Sequence, residues 1–148
     1  FQNLSKKHKV IRLLKSLPGI KDINAVKIAA FVVDPRRFPT PGHFWSYCGL
    51  IKLDRISGGR SYGKKNPRCC RTLKGVFKTA AMASMGENKN NPMRDYYLYL
   101  VNDKKLIDFH ARHAVARRIA TLAWGVMKSG QRFDPHRREQ CNKQLNRP

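Results

Sequence analysis

The segment "RISGGRSYG", residues 55–63, places a serine hydroxyl among glycines and cations. A serine oxygen attacks phosphorus only if it is accessible and if a base, a metal or positive surroundings favour its alkoxide. Gly58 and Gly59 would let the backbone come close to a phosphodiester. The basic residues around Ser57 are Arg55, Arg60, Lys64, Lys65 and Arg68. This pattern predicts a phosphate-binding loop whose cations would stabilise charge on the phosphoryl oxygens.

The same loop has a plainer interpretation. Serine followed by two glycines is common in surface turns. The acid nearest to Ser57 in sequence is Asp54, and one carboxylate does not make a general-base assembly. On local sequence alone, a basic surface turn is therefore favoured over a nucleophile.

The charge of the chain indicates a polyanionic partner. Its 148 residues include 31 Lys and Arg against 9 Asp and Glu, a formal net charge of +22. Such an excess is beyond what solubility needs and would repel itself without a counter-charge, so we expect nucleic acid, and DNA first, as the partner. No apolar run approaches the roughly 20 residues that span a bilayer, and no signal-peptide pattern is visible. We therefore expect a soluble intracellular chain with no membrane partner.

The cysteines and histidines do not form a metal-binding pattern. Cys48, Cys69, Cys70 and Cys141 lack the C-x-x-C spacing typical of zinc sites, so we expect reduced thiols, with Cys48 and one of the adjacent pair in the core. His110 and His113 are one helical turn apart but have no evident third ligand. We predict no metal and no other cofactor in this chain.

Hydrophobic periodicity and helix-stop residues predict a mainly α fold. The predicted elements are a helix over 10–17, a second capped by Asp22, a short one opened by Thr40 and Pro41, a long one from Pro67, one opened by Asn91 and Pro92, and a last one over 108–128 ended by Gly130. Residues 50–53 should be a strand or an extended approach to the Ser57 loop, which makes that loop a short irregular or β segment. Most aromatic residues have helical spacing and should pack in the core: Trp45, Tyr96, Tyr97, Tyr99 and Trp124. Tyr62 should not.

The first two helices have the layout of a helix-hairpin-helix. The turn between them contains Pro18, Gly19, Ile20 and Lys21, and the small Ala25 lies early on the second helix. Such a turn presents backbone N-H groups at a helix start, where a phosphate binds without its bases being read. An ordinary helical hairpin fits the same residues. Lys21 also stands where a second glycine often occurs, which makes the turn less open but adds a cation.

The order of several motifs resembles a known family. "LLKSLPGI", "RFPTPGHFWSYCGL", "ISGGRSYG", "RTLKGVFKTAA", "YYLYL" and "ARHAVARRIATLAWGV" follow one another from about Val10 to Asp134. This series is similar to the C-terminal transposase domain of the insertion-sequence 110 family, the bridge-RNA-guided recombinases, and to their relatives, the pilin-gene inverting DNA invertases. As a set the motifs are far more specific than any one of them.

The resemblance implies roles that the residues alone do not establish. It implies that Ser57 forms a covalent phosphoserine link to DNA during strand exchange. It also implies a separate N-terminal RuvC-like domain whose acidic residues bind magnesium, a guide (bridge) RNA, a homo-oligomer of the full-length protein, and a place near the nucleoid in the cytoplasm of a prokaryote. Nothing in this chain matches the acidic set, so we expect half of a composite active site.

The expected organisation is a basic lead-in over residues 1–9, a transposase domain over 10–134 with its helix-hairpin-helix at about 10–33, and a basic tail over 135–148. The first alternative is a noncatalytic helix-hairpin-helix module that binds nucleic acid. A second is a structural RNA-binding protein of a ribonucleoprotein. All three explain the charge, and only the first requires Ser57 to react.

Overall fold

The computed structural model describes residue 3 and residues 8–65, 68–86 and 91–135. This part of the chain contains six α-helices, one 3₁₀ turn at Pro35–Arg37 and one antiparallel β-hairpin, which confirms a mainly α fold. The helices are α1 Lys9–Leu14, α2 Asp22–Val32, α3 Pro41–Tyr47, α4 Arg71–Gly86, α5 Pro92–Asn102 and α6 Asp108–Ser129, and the strands are β1 Leu53–Ser57 and β2 Arg60–Lys65. None of the helices described is both long and apolar enough to cross a membrane. The expected lead-in and tail lie largely outside the described residues.

The long helix α6 forms the centre of the helical body. It contacts α1, α3, α4, α5 and the 3₁₀ turn. Its buried face carries many small side chains: Ala111, Ala116, Ala120 and Ala123. Small side chains at a helix contact allow a short interaxial distance, so several helices reach α6 at once. The core is then completed by large side chains from the other helices, such as Phe44, Phe77 and Leu14.

Aromatic residues fasten α3 and the 3₁₀ turn to this body. The rings of Phe38, Phe44 and Phe77 follow one another edge to face, with centroids 5.1 and 5.9 Å apart. Trp45 Nε1 donates to Thr121 Oγ1 at 3.0 Å, and Trp124 Nε1 donates to the Pro35 carbonyl at 3.1 Å. Both indoles are partly buried with their polar edges paired, as buried tryptophans require. The predicted packing role of these two residues is confirmed.

The turn between α1 and α2 is locked against α4. Ile20 N-H donates to the Leu17 carbonyl at 3.2 Å across Pro18 and Gly19, and Gly19 has φ +75°, the features of a type II turn. A Cβ added at Gly19 would lie 2.1 Å from the Ala80 carbonyl oxygen of α4. Glycine is therefore required here twice, by its backbone conformation and by the contact with α4.

Several predicted helix ends are confirmed. Asn91 caps α5 by accepting from Met93 N-H at 3.0 Å, and its amide nitrogen donates to the Ser84 carbonyl near the end of α4. Gly130 ends α6 in the left-handed conformation, with φ +65°. Thr40 is the residue before α3, but its hydroxyl contacts His43 Nδ1 and not a backbone N-H.

Four boundary predictions were wrong. Helix α1 stops at Leu14 and not at Leu17, because the residue before a proline is disfavoured in helical conformation and the chain tightens into i→i+3 turns there. Asp22 is not a cap: Lys21 precedes α2, and Asp22 is the first helical residue, paired with Lys15 Nζ at 2.7 Å. The strand β1 begins only at Leu53. Helix α4 begins at Arg71, after Pro67, since Cys70 N-H donates to the Tyr47 carbonyl at 2.8 Å.

The predicted burial of cysteines and tyrosines is mostly confirmed. Cys48 is fully buried, and Cys70 packs partly against the core with Tyr96 and Tyr97. The free thiols of Cys48, Cys69 and Cys70 agree with the expectation of reduced cysteines; Cys141 lies outside the described residues. Tyr99 was expected in the core and is 44% exposed, because it lies on the outer side of α5.

Replacing Gly19 by alanine should destabilise the fold by about 2–5 kcal/mol, the sum of a left-handed backbone penalty and an overpacking penalty. The melting temperature should fall by roughly 2–4 °C for each kcal/mol. Gly130→Ala is the matched control, because Gly130 has φ +65° but a Cβ there meets nothing within 4 Å. It should cost only about 1–2 kcal/mol. Equal losses in thermal unfolding would show that the contact with Ala80 does not matter.

Candidate functional site

Ser57 lies beside the turn of a regular β-hairpin. The strands pair Leu53 with Lys65, Asp54 with Lys64, Ile56 with Ser61 and Ser57 with Arg60. Gly58 and Gly59 form the two-residue turn with φ +55° and +75°. Two consecutive positive φ values are the requirement of the type I′ turn, whose twist suits a hairpin. The expectation of a short irregular or β segment carrying Ser57 is therefore confirmed as β.

The register sorts the charges onto the two faces of the hairpin. Cross-strand partners share a face and successive residues alternate, so Ser57 lies on the same face as Arg55, Arg60 and Lys65. Tyr62 also falls on this face, next to the bulge formed with Gly63 at φ +101°. Asp54 lies on the opposite face, with Ile56, Ser61 and Lys64. Ser57 thus shares its face with three cations and not with the hairpin's carboxylate.

The hairpin stands away from the helical body. Residues 52–65 are all exposed, and the substantial contacts of β1 and β2 are with each other. A Cβ added at Gly58, Gly59 or Gly63 would meet nothing within 4 Å. Tyr62 is 67% exposed, in line with the prediction that it lies outside the core. A large anionic molecule can therefore approach Ser57 without any displacement of the core.

The two ends of the hairpin meet at a packed base that sequence reasoning missed. Gly49, just before β1, has φ +65°, and a Cβ there would lie 2.6 Å from Cys69 Sγ. Cys70 N-H bonds to Tyr47 on the same side. Burial, and then the neighbouring Cys70 and Cys69, raise the pKa of the Cys48 thiol, which keeps it protonated. Through these contacts Cys69 and Cys70 act as packing residues that hold the two ends of the hairpin together. The sequence did not predict the contact between Gly49 and Cys69, because it follows neither helical nor strand periodicity.

The other basic residues of the predicted loop are also at the surface. Arg68 is exposed on the far side of residues 66–67, which lie outside the described chain. Among the residues that the structure describes, no group of three or more His, Cys, Asp or Glu side chains could hold a metal. The hairpin cations would also repel a divalent ion. The described residues therefore do not fit a magnesium site, which the resemblance implies for a separate N-terminal domain.

The turn predicted to bind a DNA backbone is largely used in packing. Gly19 and Ile20 are buried, Pro18 is half-buried and Lys21 is exposed. Ile20 N-H is already engaged by Leu17. Beside the turn is a pocket of about 460 Å³ lined by Lys15, Ser16, Pro18, Lys21, Asn91 and Phe133. Of the four predicted turn residues, Lys21 has the side chain placed to meet a phosphate. The turn packs against α4 at Ala80, whereas the substantial contacts of the two hairpin strands are with each other.

The two histidines at helical spacing differ in their surroundings. His110 is exposed, whereas His113 is half-buried and lies within electrostatic range of Lys74 and Lys78 of α4. Burial lowers the pKa of His113, and the nearby cations Arg117, Lys78 and Lys74 lower it further. Both effects disfavour the charged imidazolium. His113 is therefore expected to be neutral at pH 7.

Protonation of His113 should weaken the fold. Its folded pKa lies below its ordinary value near 6.5, so the unfolded chain takes up the proton first. Stability from this residue is complete above pH 6.5 and is lost as the pH falls through the lowered pKa. Denaturant unfolding at pH 7 and pH 5 should show a smaller loss for His113→Gln than for the unsubstituted chain. His110→Gln is the control and should keep the full loss; identical pH dependence of all three would contradict the assignment.

Comparison with known proteins places this geometry in a family. Residues 11–98, more than half of the chain and including the whole hairpin, match the model described as "Transposase IS116/IS110/IS902 family". The "Insertion element IS116 uncharacterized 44.8 kDa protein" of Streptomyces clavuligerus is 28% identical over 124 residues, 83% of this chain and 30% of that protein. The "Insertion element IS110 uncharacterized 43.6 kDa protein" of Streptomyces coelicolor is 34% identical over 91 residues, 61% of this chain and 22% of that protein. The chain thus spans less than a third of the length of these relatives, and it belongs to the IS116/IS110/IS902 family of transposases.

Proposed function

We propose that this chain is the part of a DNA transposase that binds DNA and supplies the Ser57 hydroxyl as nucleophile for strand exchange. The observation that carries the proposal is the hairpin geometry: Ser57 is exposed beside a two-glycine turn, and Arg55, Arg60 and Lys65 share its face. Family membership supports DNA as the partner. An exposed serine with a cationic face suits a rigid, bulky phosphodiester better than a small substrate, which would need a pocket.

In the proposed step, Ser57 Oγ attacks the phosphorus of a DNA phosphodiester. A new Oγ-phosphorus bond forms while the bond from phosphorus to one sugar oxygen breaks, and that oxygen leaves with the electron pair and takes up a proton. One phosphodiester is exchanged for another, so the step consumes no nucleotide. Arg55, Arg60 and Lys65 would stabilise the charge that develops on the non-bridging oxygens. The reverse attack by another strand's hydroxyl would release Ser57 and join new DNA.

Loss of the Ser57 proton requires a base that the hairpin does not supply. Asp54, the hairpin's carboxylate, lies on the opposite face. The base would come from another domain or subunit, which agrees with the composite active site that the resemblance implies. The proposal also includes what the resemblance implies for the full-length protein: an N-terminal metal domain, a guide RNA and a homo-oligomer. Lys21 and the pocket beside it would bind a part of the DNA backbone other than the reacting phosphate.

The nucleophile is tested by comparing two serines of one hairpin. Ser57 and Ser61 are both exposed, but they lie on opposite faces. In the full-length transposase, incubated with its guide RNA and with labelled DNA carrying the element's ends, Ser57→Ala should abolish the denaturant-resistant protein-DNA adduct. Ser61→Ala should retain it. Both changes should alter stability by less than about 0.5 kcal/mol, because the sites are at the surface.

The outcomes of this adduct assay separate the candidate functions. An undiminished adduct with Ser57→Ala would exclude Ser57 as nucleophile. No adduct in the unsubstituted transposase, with DNA binding retained, would favour the noncatalytic nucleic-acid-binding module. That alternative has one specific observation in its favour, the placement of Asp54 away from Ser57. Binding of RNA with no binding of DNA would favour the structural ribonucleoprotein component.

The two faces of the hairpin give a second test. Arg60 pairs directly with Ser57, whereas Lys64 pairs with Asp54 on the opposite face. Arg60→Ala should slow adduct formation by about 10²-fold, the usual effect of removing one group that stabilises transition-state charge. Lys64→Ala removes the same formal charge and should change the rate by only a few-fold, through weaker DNA binding. Equal effects in a single-turnover assay would mean that the cations act only through general attraction.

A further inference from the structure

A second basic surface follows α4 and α6, which pack against each other. We call it the α4/α6 patch and define it by Lys74 and Lys78 of α4 and Phe109, His113 and Arg117 of α6. Because α4 packs against α6, Lys74 and Lys78 as well as Arg117 lie within electrostatic range of His113. In each helix the residues are spaced by four, so they follow one side of the helix.

The patch combines positive charge with an exposed aromatic ring. Phe109 is 61% exposed in the first turn of α6. Its ring meets the rings of His110 and His113 edge to face, with centroids 5.7 and 6.0 Å away. A single exposed phenylalanine is common and means little by itself. A phenylalanine that contacts two imidazoles, on the face of α6 that also carries Arg117, has the composition of a base-stacking platform.

The patch is continuous with the base of the hairpin. The side chain of Lys74 reaches Gly49, where its Cδ lies 3.3 Å from the position of a Cβ. On α4 the cations continue from Lys74 to Lys78, and on α6 Phe109 and Arg117 lie one turn to either side of His113. The patch shares no residue with the serine face or with the turn at Gly19, so an anion bound to it need not occupy either of those sites.

We propose that the α4/α6 patch binds unpaired nucleotides, with a base stacked on Phe109 and the flanking phosphates held by Lys74, Lys78 and Arg117. In a duplex the faces of the bases are covered by their neighbours, so a surface ring gains nothing from them. In a single strand each base offers a free face to an aromatic ring, whatever its sequence. The ligand is thus single-stranded DNA or RNA, which share this chemistry.

The test measures binding of this chain to labelled oligonucleotides of about 12 nucleotides. The probes are oligo(dT), oligo(U) and a mixed-sequence DNA duplex, each at one fixed salt concentration, with fluorescence anisotropy as the readout. Phe109→Ala should weaken single-strand binding by roughly 5- to 150-fold, the effect of losing one stacked base. Duplex binding should change by less than about twofold, because it depends on backbone charge. The single strand that binds more tightly identifies the natural source.

Two variants keep the result interpretable. Phe109→Tyr retains an aromatic ring and should bind single strands like the unsubstituted chain. Tyr99→Ala removes another exposed ring beside a cation, Lys104, whose Nζ lies 5.7 Å from the ring centroid on α5. It should leave binding unchanged. Unchanged single-strand binding by Phe109→Ala, or the same loss with Tyr99→Ala or on the duplex, would overturn the proposal.

The cations are tested separately through salt. Removing one protein-phosphate interaction with a single strand should lower the slope of log affinity against log salt by about 0.7. The double substitution of Lys74 and Lys78 by alanine should therefore flatten the slope for oligo(dT) or oligo(U). The slope would stay unchanged if these lysines did not meet phosphates, which would also overturn the assignment. Ser61→Ala, on the hairpin face without an assigned role, should affect neither readout. Both readouts measure binding and not the protein-DNA adduct, so failure of this proposal is distinguishable from failure of the nucleophile.

Discussion

The arrangement of the helices depends on the close approach of Gly19 to the Ala80 carbonyl. With no side chain at this point, the α1-α2 turn lies directly against the backbone of α4. Helix α4 in turn packs along α6, whose buried alanines let it contact most of the other helices. A side chain at position 19 would push the first two helices outward and open the core between α2 and α4. The same contact explains why this turn has little backbone left to offer a phosphate.

The rest of the molecule is shaped by charge that the fold does not neutralise. Ion pairs join Lys15 to Asp22 and Arg112 to Asp108, yet the chain has an excess of 22 positive charges. None of the Lys and Arg side chains in the described part of the chain is buried, so water solvates them, and two groups of them are concentrated. One follows the serine face of the hairpin, and the other follows the α4/α6 patch. Each group has an aromatic residue within it, Tyr62 or Phe109.

Local sequence predicted those features that depend on local chemistry. The Asn91 cap, the Gly130 cap, the buried Cys48 and the β character around Ser57 each follow from a residue's own conformational or transfer preference. The features it missed depend on contacts between distant segments. Helix α4 begins later than predicted because Cys69 and Cys70 pack against Gly49 and Tyr47. The packing role of Gly19 was not predicted because its partner, Ala80, is 61 positions away in the sequence. The face of Ser57 could not be predicted either, because it depends on the strand register. The family resemblance was needed to single out Ser57 at all, since its surroundings are those of many surface turns.

The isolation of the hairpin from the core has a consequence for how such a protein evolves. Substitutions from residue 52 to residue 65 remove no buried contact, so selection for a function of the hairpin is not opposed by selection on stability. The packed base at Gly49, Cys69 and Cys70 has no such freedom, because a larger side chain there would collide with its partner across the base. Related chains should therefore vary most at hairpin positions outside the serine face and the two-glycine turn, while they keep small residues where the strands leave the body. Because the hairpin joins the core at this packed base, its exposed positions can change in sequence without a change in the helical fold.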